Sequence, residues 1–252
     1  MILRIEGLTK IYGALRVVDN VSFTVPGGDI VGVIGPNGAG KSTLFSLVTG
    51  FLDANEGRVR LDDKEVGHLP PAERAQFGMV RTFQVPREFS YLTVRQNLMA
   101  AAPKQSGESL ISLFISPGRV RTEEEKISRD VDAMLDFLRL SPIANTPAGR
   151  LSGGQKKLVE LGRALMTGAS LILLDEPFAG VNPVLIEEIA ERIRELNAQG
   201  IGFLIIEHDL GALRRLVTTL HVMDRGRLIA SGAPAEVLSN NQVREAYLGG
   251  TS

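Results

Sequence analysis

The chain has 252 residues, 44% apolar and 23% charged, with a formal net charge of −1. That length suits one large domain or two small ones with a sizeable core, and the near-zero charge argues against a partner bound chiefly through phosphate neutralisation, such as bulk nucleic acid. With no cysteine present, disulfides, thiolate zinc sites and cysteine nucleophiles are excluded.

In chain order, Arg4 and Glu6 place charges in the opening residues, so no secretory signal is expected there. No apolar run approaches the ~18 residues of a membrane span, and any membrane role is expected from the aqueous side. The run Ile30-Val31-Gly32-Val33-Ile34, preceded by Pro26-Gly27-Gly28, predicts a strand buried on both faces. A glycine-rich loop follows, and Leu44 to Val48 carries helical apolar spacing. From Tyr91 to Leu161 the pattern turns helical, most clearly over Val131 to Leu140, with an excursion between helices over Lys104 to Arg121. Leu171 to Leu174 and Ile201 to Ile206 predict two further buried strands. Between them, Pro183 to Asn197 places apolar residues mostly on one helical face, with proline suited to the first turn. Strand, helix and strand of these lengths predict a parallel crossover unit. Gln242 to Leu248 predicts a short final helix. There are no repeats and no heptads.

Gly35-Pro36-Asn37-Gly38-Ala39-Gly40-Lys41-Ser42-Thr43 fits the phosphate-binding pattern G-x-x-x-x-G-K-[ST]. Glycines let the backbone curl so that successive N–H groups face phosphate oxygens, and the following helix adds its N-terminal partial charge. Lys41 is expected on the β- and γ-phosphates and Ser42 on Mg²⁺. Asp175-Glu176 end the Leu171 to Leu174 strand, at the edge where open α/β sheets bind ligands. Asp175 is expected to hold the metal, and Glu176 to serve the attacking water as base or orienter; the competing reading is a pair of helix-capping acids. His208 follows the Ile201 to Ile206 strand and reaches the same edge, within range of the γ-phosphate, although a lone histidine is also commonly structural.

Leu151-Ser152-Gly153-Gly154-Gln155 resembles the signature sequence of ABC transporter ATPases. With the phosphate loop, the strand ending in Asp175-Glu176 and Glu207-His208-Asp209 in this order, the resemblance covers almost the whole chain. It implies an α/β fold: a P-loop ABC-type ATPase core with a mainly parallel sheet, an N-terminal antiparallel β part and an inserted helical subdomain. The expected division is core over residues 1–88 and 162–252 and helical subdomain over 89–161. The resemblance further implies that Tyr12 stacks on adenine (otherwise a strand-edge tyrosine). It implies that Gln84 contacts Mg²⁺ and water (otherwise a polar loop residue). Ser152, Gly153, Gly154 and Gln155 would complete the ATP site of a second subunit. Ala179-Gly180-Val181-Asn182 stands where the family has its dimer-contact loop, with Asn182 in place of a common aspartate.

Gly78 to Gln84, Leu92 to Leu98, Ala179 to Pro183 and Arg244 to Gly249 are similar to the ATPases of branched-chain amino acid importers. That resemblance implies a second ATPase subunit, integral membrane permease subunits and, indirectly, an extracytoplasmic substrate-binding protein, with the chain cytoplasmic and peripheral on the inner membrane face. Phe83, Phe89 and Tyr91 become candidates for a permease-docking groove, with a plain core role as the other reading. Urea-type import, lipopolysaccharide export, a soluble ABC ATPase and a nucleotide-binding regulator without turnover are the alternatives.

Overall fold

Three apolar runs become the fully buried centre of one sheet: β3 (Ile30–Ile34), β7 (Leu171–Asp175) and β8 (Gly202–Ile206). Burial on both faces is what a continuous β-branched run permits in a parallel sheet. The computed structural model describes residues 1–82, 88–103, 105, 117–208 and 210–248. These form two compact units, one of Met1–Gln84 with Ser170–Ser252 and one of Val85–Ala169.

The first unit holds two sheets. One is antiparallel, built on the long hairpin β1 (Leu3–Tyr12) and β2 (Leu15–Val25) with β4 (Glu56–Leu61) and β5 (Lys64–Glu65), in the order β2-β1-β4-β5. The other has the order β10-β9-β3-β8-β7-β6, where β6 is Met79–Arg81, β9 is Thr219–Asp224 and β10 is Arg227–Gly232. All its pairings are parallel except β9 with β10. The mainly parallel sheet and the antiparallel N-terminal part agree with the expected fold class. One core, including Leu3, Val18, Phe45, Leu61, Leu173 and Ile206, joins residues of both sheets with helix α1 (Lys41–Thr49).

Arg74, in α2 (Pro71–Gln76), is 1% exposed. Its guanidinium donates to the carbonyls of Leu47 and Val48 at the carboxyl end of α1, and to Leu69 and Gly67. It satisfies orphan carbonyls and sets positive charge at the negative end of the helix dipole. Burial lowers its pKa to about 10 against the opposing field of Asp53.

The second unit contains α3 (Val94–Met99), α4 (Pro117–Phe137) and α5 (Gly153–Met166). The helix expected over Val131 to Leu140 begins earlier, at Pro117, inside the expected excursion. It ends before Leu140 because Arg139 takes a left-handed φ of 55° and Leu140 N–H donates back to the Leu135 carbonyl, a Schellman-type stop without the usual glycine. The expected boundary after Leu161 falls inside the continuous α5, which lies whole in the second unit. Among the described residues, no helix is long and apolar enough to cross a membrane.

Candidate functional site

The strand order sets the site. β3, β8, β7 and β6 are consecutive neighbours and run parallel, so their carboxyl ends share one edge. Neighbouring strands lie about 4.8 Å apart, so the ends of β3 and β7 are separated by about 10 Å with β8 between them. The phosphate loop follows β3, His208 follows β8, Asp175 ends β7 and Arg81 ends β6. Such an edge is where ligands meet an open α/β sheet.

Residues Gly35 to Gly40 curl over this edge into α1. Gly35 has φ 154° and Gly40 φ 97°, and a Cβ at either would overlap a backbone carbonyl, that of Met223 or Val17. Only glycine fits both conformation and approach. Val17 belongs to β2, so the hairpin that ends in half-exposed Tyr12 abuts the loop. On its other flank, the loop residues Pro36 to Ala39 line a cleft with Asp224, Arg225 and two residues of the C-terminal helix, Glu245 and Ala246.

Lys41 is 8% exposed, and its Nζ donates to the carbonyls of Gly35 at 2.7 Å and Pro36 at 2.9 Å. Burial lowers its pKa, while the fields of Glu176 and Asp175 raise it. The three side chains therefore share one electrostatic environment. Ser42 follows Lys41 in the first turn of α1, and Thr43 follows Ser42.

Asp175 is 4% exposed. Its Oδ2 accepts from the Arg81 guanidinium at 2.6 Å. Glu176 leaves the strand with φ 48°, and its N–H donates to the Ile206 carbonyl at 2.9 Å. That left-handed turn costs a non-glycine residue about 1–2 kcal/mol. His208 Nδ1 lies 3.8 Å from Glu176 Oε2 and 3.8 Å from Glu207 Oε2. Glu207 is fully buried, and its carboxylate accepts from the backbone N–H groups of Phe178 at 2.7 Å and His208 at 3.0 Å. It thereby braces the segment after Glu176 against the segment carrying His208. Sequence reading missed both Arg81 and Glu207. The available signal was a charged residue closing each of two apolar strands.

The structure therefore brings together Lys41, Asp175, Glu176 and His208 around the phosphate loop. Gln84, Phe83 and Asp209 lie outside the described residues. Ser152 to Gln155 belong to the second unit. There Ser152 is the N-cap of α5: its Oγ accepts from Gln155 N–H, and the Gln155 side-chain carbonyl accepts from Ser152 N–H, a reciprocal capping box. Ser152 and Gly153 stay exposed at this helix N-terminus. In the same unit Lys156 of α5 pairs with Glu88 at 2.7 Å, and Arg163 lies 4.8 Å over the Phe89 ring. Tyr91 is fully exposed and Phe89 half-exposed, so neither is a core aromatic. Asn182 caps α6 (Pro183–Ala198), its Oδ1 accepting from Leu185 N–H at 3.0 Å.

The donors fit a magnesium nucleotide. Among the described residues, no cluster of three or more histidine or acidic side chains forms a metal cage. Mg²⁺ prefers one or two protein oxygens plus phosphates and water, and the Asp175 carboxylate and Ser42 hydroxyl supply that type of set beside the loop.

Residues 18–179 match the family model described as ABC transporter, and residues 227–251 match one described as branched-chain amino acid ATP-binding cassette transporter. The chain is 44% identical to the probable branched-chain amino acid transport ATP-binding protein LivG of Methanocaldococcus jannaschii, across 98% of this chain and 97% of that one. It is 36% identical to the lipopolysaccharide export system ATP-binding protein LptB of Haemophilus influenzae, across 98% and 97%. A solved structure described as the ADP conformation of an ATP-binding cassette of an ABC transporter superposes with a TM-score of 0.82 at 43% identity, covering 98% of each chain.

Proposed function

Because the chain belongs to the ABC transporter family, we propose that it binds and hydrolyses ATP to power import of branched-chain amino acids through membrane subunits that are other chains. The ATPase reading rests on one observation above all: the phosphate loop, Asp175, Glu176 and His208 meet at adjacent strand ends. The substrate class rests on the match of residues 227–251 to a branched-chain family model and on the higher identity to the LivG of Methanocaldococcus jannaschii, 44%, than to the LptB of Haemophilus influenzae, 36%.

In this reading the loop N–H groups and Lys41 hold the β- and γ-phosphates, which requires Lys41 to exchange its two loop carbonyls for phosphate oxygens. Asp175 and Ser42 hold Mg²⁺, which when bound neutralises charge on the phosphates. Glu176 accepts a proton from, or orients, the attacking water, and His208 beside it contacts the γ-phosphate. Tyr12 stacks on the base and Gln84 contacts the metal and water. Met1–Gln84 with Ser170–Ser252 serves as the catalytic core, and Val85–Ala169 carries the signature. One chain has one phosphate loop and one Ser152 signature, so two ATPase subunits pair head-to-tail, each signature closing the other's site. The partners are permease subunits and, through them, an extracytoplasmic binding protein, with this chain on the cytoplasmic face.

Glu176→Gln tests the chemistry: steady-state hydrolysis falls to background while ATP binding persists, and unchanged hydrolysis refutes the assignment. Uptake of labelled leucine by vesicles holding the chain with its co-purified membrane partners tests the substrate class. ATP-dependent uptake supports it, and partners that instead extract lipopolysaccharide overturn it.

A further inference from the structure

Arg81 is the last residue of β6 and sits in register with Leu173 of β7. Its side chain reaches along the sheet edge to Asp175 Oδ2 at 2.6 Å, with side-chain exposures of only 9% and 6%. A second arm of the same guanidinium donates to Ser46 Oγ at 3.1 Å, and the Ser46 hydroxyl donates to the Ser42 carbonyl at 2.8 Å. The rings of Phe45 and Phe51 lie 5.7 Å and 6.0 Å from the guanidinium carbon. One rigid fork thus connects Asp175 with the helical turn that carries Ser42.

We propose that Arg81 is a positioning residue for the metal-dependent reaction: it orients Asp175 toward the Mg²⁺ that accompanies ATP and fixes its spacing from Ser42. This inference rests on the proposed reading of Asp175 and Ser42 as metal ligands. Arginine suits the task because its planar, pre-organised donors address two acceptors at once, whereas a lysine ammonium is a point charge on a flexible stem. With Oδ2 held by the guanidinium, the carboxylate cannot rotate freely, and its other oxygen is left for the metal or a metal-bound water. Partners that orient metal ligands typically change metal affinity by about 10–100-fold when removed. Stability alone is a poor explanation of the pair, since buried ion pairs commonly offset their own desolvation cost and no more.

The test uses Mn²⁺ as the metal probe, read by electron paramagnetic resonance with saturating ADP, on the full chain and on Arg81→Met, Arg81→Lys and Asp175→Asn. Nucleotide affinity without metal is read separately with a fluorescent ATP analogue in chelator. Arg81→Met should weaken Mn²⁺ binding about 10–100-fold, Arg81→Lys should fall between it and the parent, and metal-free nucleotide affinity should stay within about twofold. A purely structural role would instead weaken metal-free nucleotide binding and thermal stability together, which would overturn the proposal. Unchanged or tighter Mn²⁺ binding in Arg81→Met also overturns it. If that variant fails to fold, unchanged Mn²⁺ binding in Arg81→Lys does the same. Unchanged Mn²⁺ binding in Asp175→Asn refutes the ligand assignment itself, a result distinct from failure of the Arg81 variants.

Discussion

His221 gives the fold a pH-dependent weakness that can be calculated. It lies on β9, facing Val33 of β3 on one side and Ser231 of β10 on the other. The residue is 6% exposed, its ring centroid is 4.5 Å from that of Phe23, and Nδ1 lies 2.8 Å from Ser231 Oγ. Nε2 has no hydrogen-bond partner among the described residues. Burial lowers the pKa from 6.5 to about 4. Well above pH 6.5 the ring is neutral in both folded and unfolded chains and makes no pH-dependent contribution. As pH falls from 6.5 toward 4 the unfolded chain gains a proton that the folded chain refuses, so stability declines. At 1.36 kcal/mol per pH unit the full loss is about 3.4 kcal/mol, of which about 2 kcal/mol is already present at pH 5. Against a typical net stability of 5–15 kcal/mol this is a large share. His221→Phe keeps an aromatic ring against Phe23 and cannot titrate. Urea unfolding followed by circular dichroism should show the variant gaining about 2 kcal/mol on the parent between pH 7 and pH 5. A difference constant across that interval to within about 0.5 kcal/mol would refute the argument, because other titrating groups are common to both proteins.

Two further outcomes concern buried charges, one at the far end of α1 and one beside His208. Arg74→Met leaves the carbonyls of Leu47, Val48, Leu69 and Gly67 without their guanidinium; the expected loss is about 3–5 kcal/mol, seen as a Tm drop of about 10 °C by calorimetry. Glu207→Gln keeps the side chain's size but removes the charge that accepts from Phe178 and His208 N–H. Hydrolysis should fall about tenfold, the equivalent of one weakened charge-assisted bond, with ATP affinity held within twofold; a parallel loss of affinity would show that Glu207 supports the fold alone.

The parts legible in the sequence are those where the local signal and the tertiary environment agree. Ile30–Ile34 and Leu171–Leu174 are uninterrupted apolar runs, and both lie in wholly buried strands. Pro183–Ala198 starts at its proline and follows its apolar stripe, and Asn182, noted in the sequence only as a departure from aspartate, supplies the cap. The illegible parts depend on contacts far along the chain. β6 is three residues long and exists because β7 offers it an edge. Arg81 finds its carboxylate across 94 residues of chain, and Arg74 its helix end across 27. The β1–β2 hairpin carries register shifts that break its alternation, and α4 stops at a left-handed arginine where no glycine announces it.

The same long-range contacts give the buried charges of the site partners within the folded chain itself. A buried lysine and two neighbouring carboxylates are each costly to strip of water. Here Lys41 already has two loop carbonyls as acceptors and feels the fields of Glu176 and Asp175, while Asp175 has the Arg81 guanidinium. The desolvation cost is therefore offset within the folded chain, where these groups are buried with partners. In the proposed reading a polyphosphate would exchange one set of oxygens on Lys41 for another of higher charge, in a cradle whose backbone only glycine fits at Gly35 and Gly40. Folding free energy is thus converted into pre-organisation by groups outside the phosphate loop: Arg81 on Asp175 and Glu207 on the segment carrying His208.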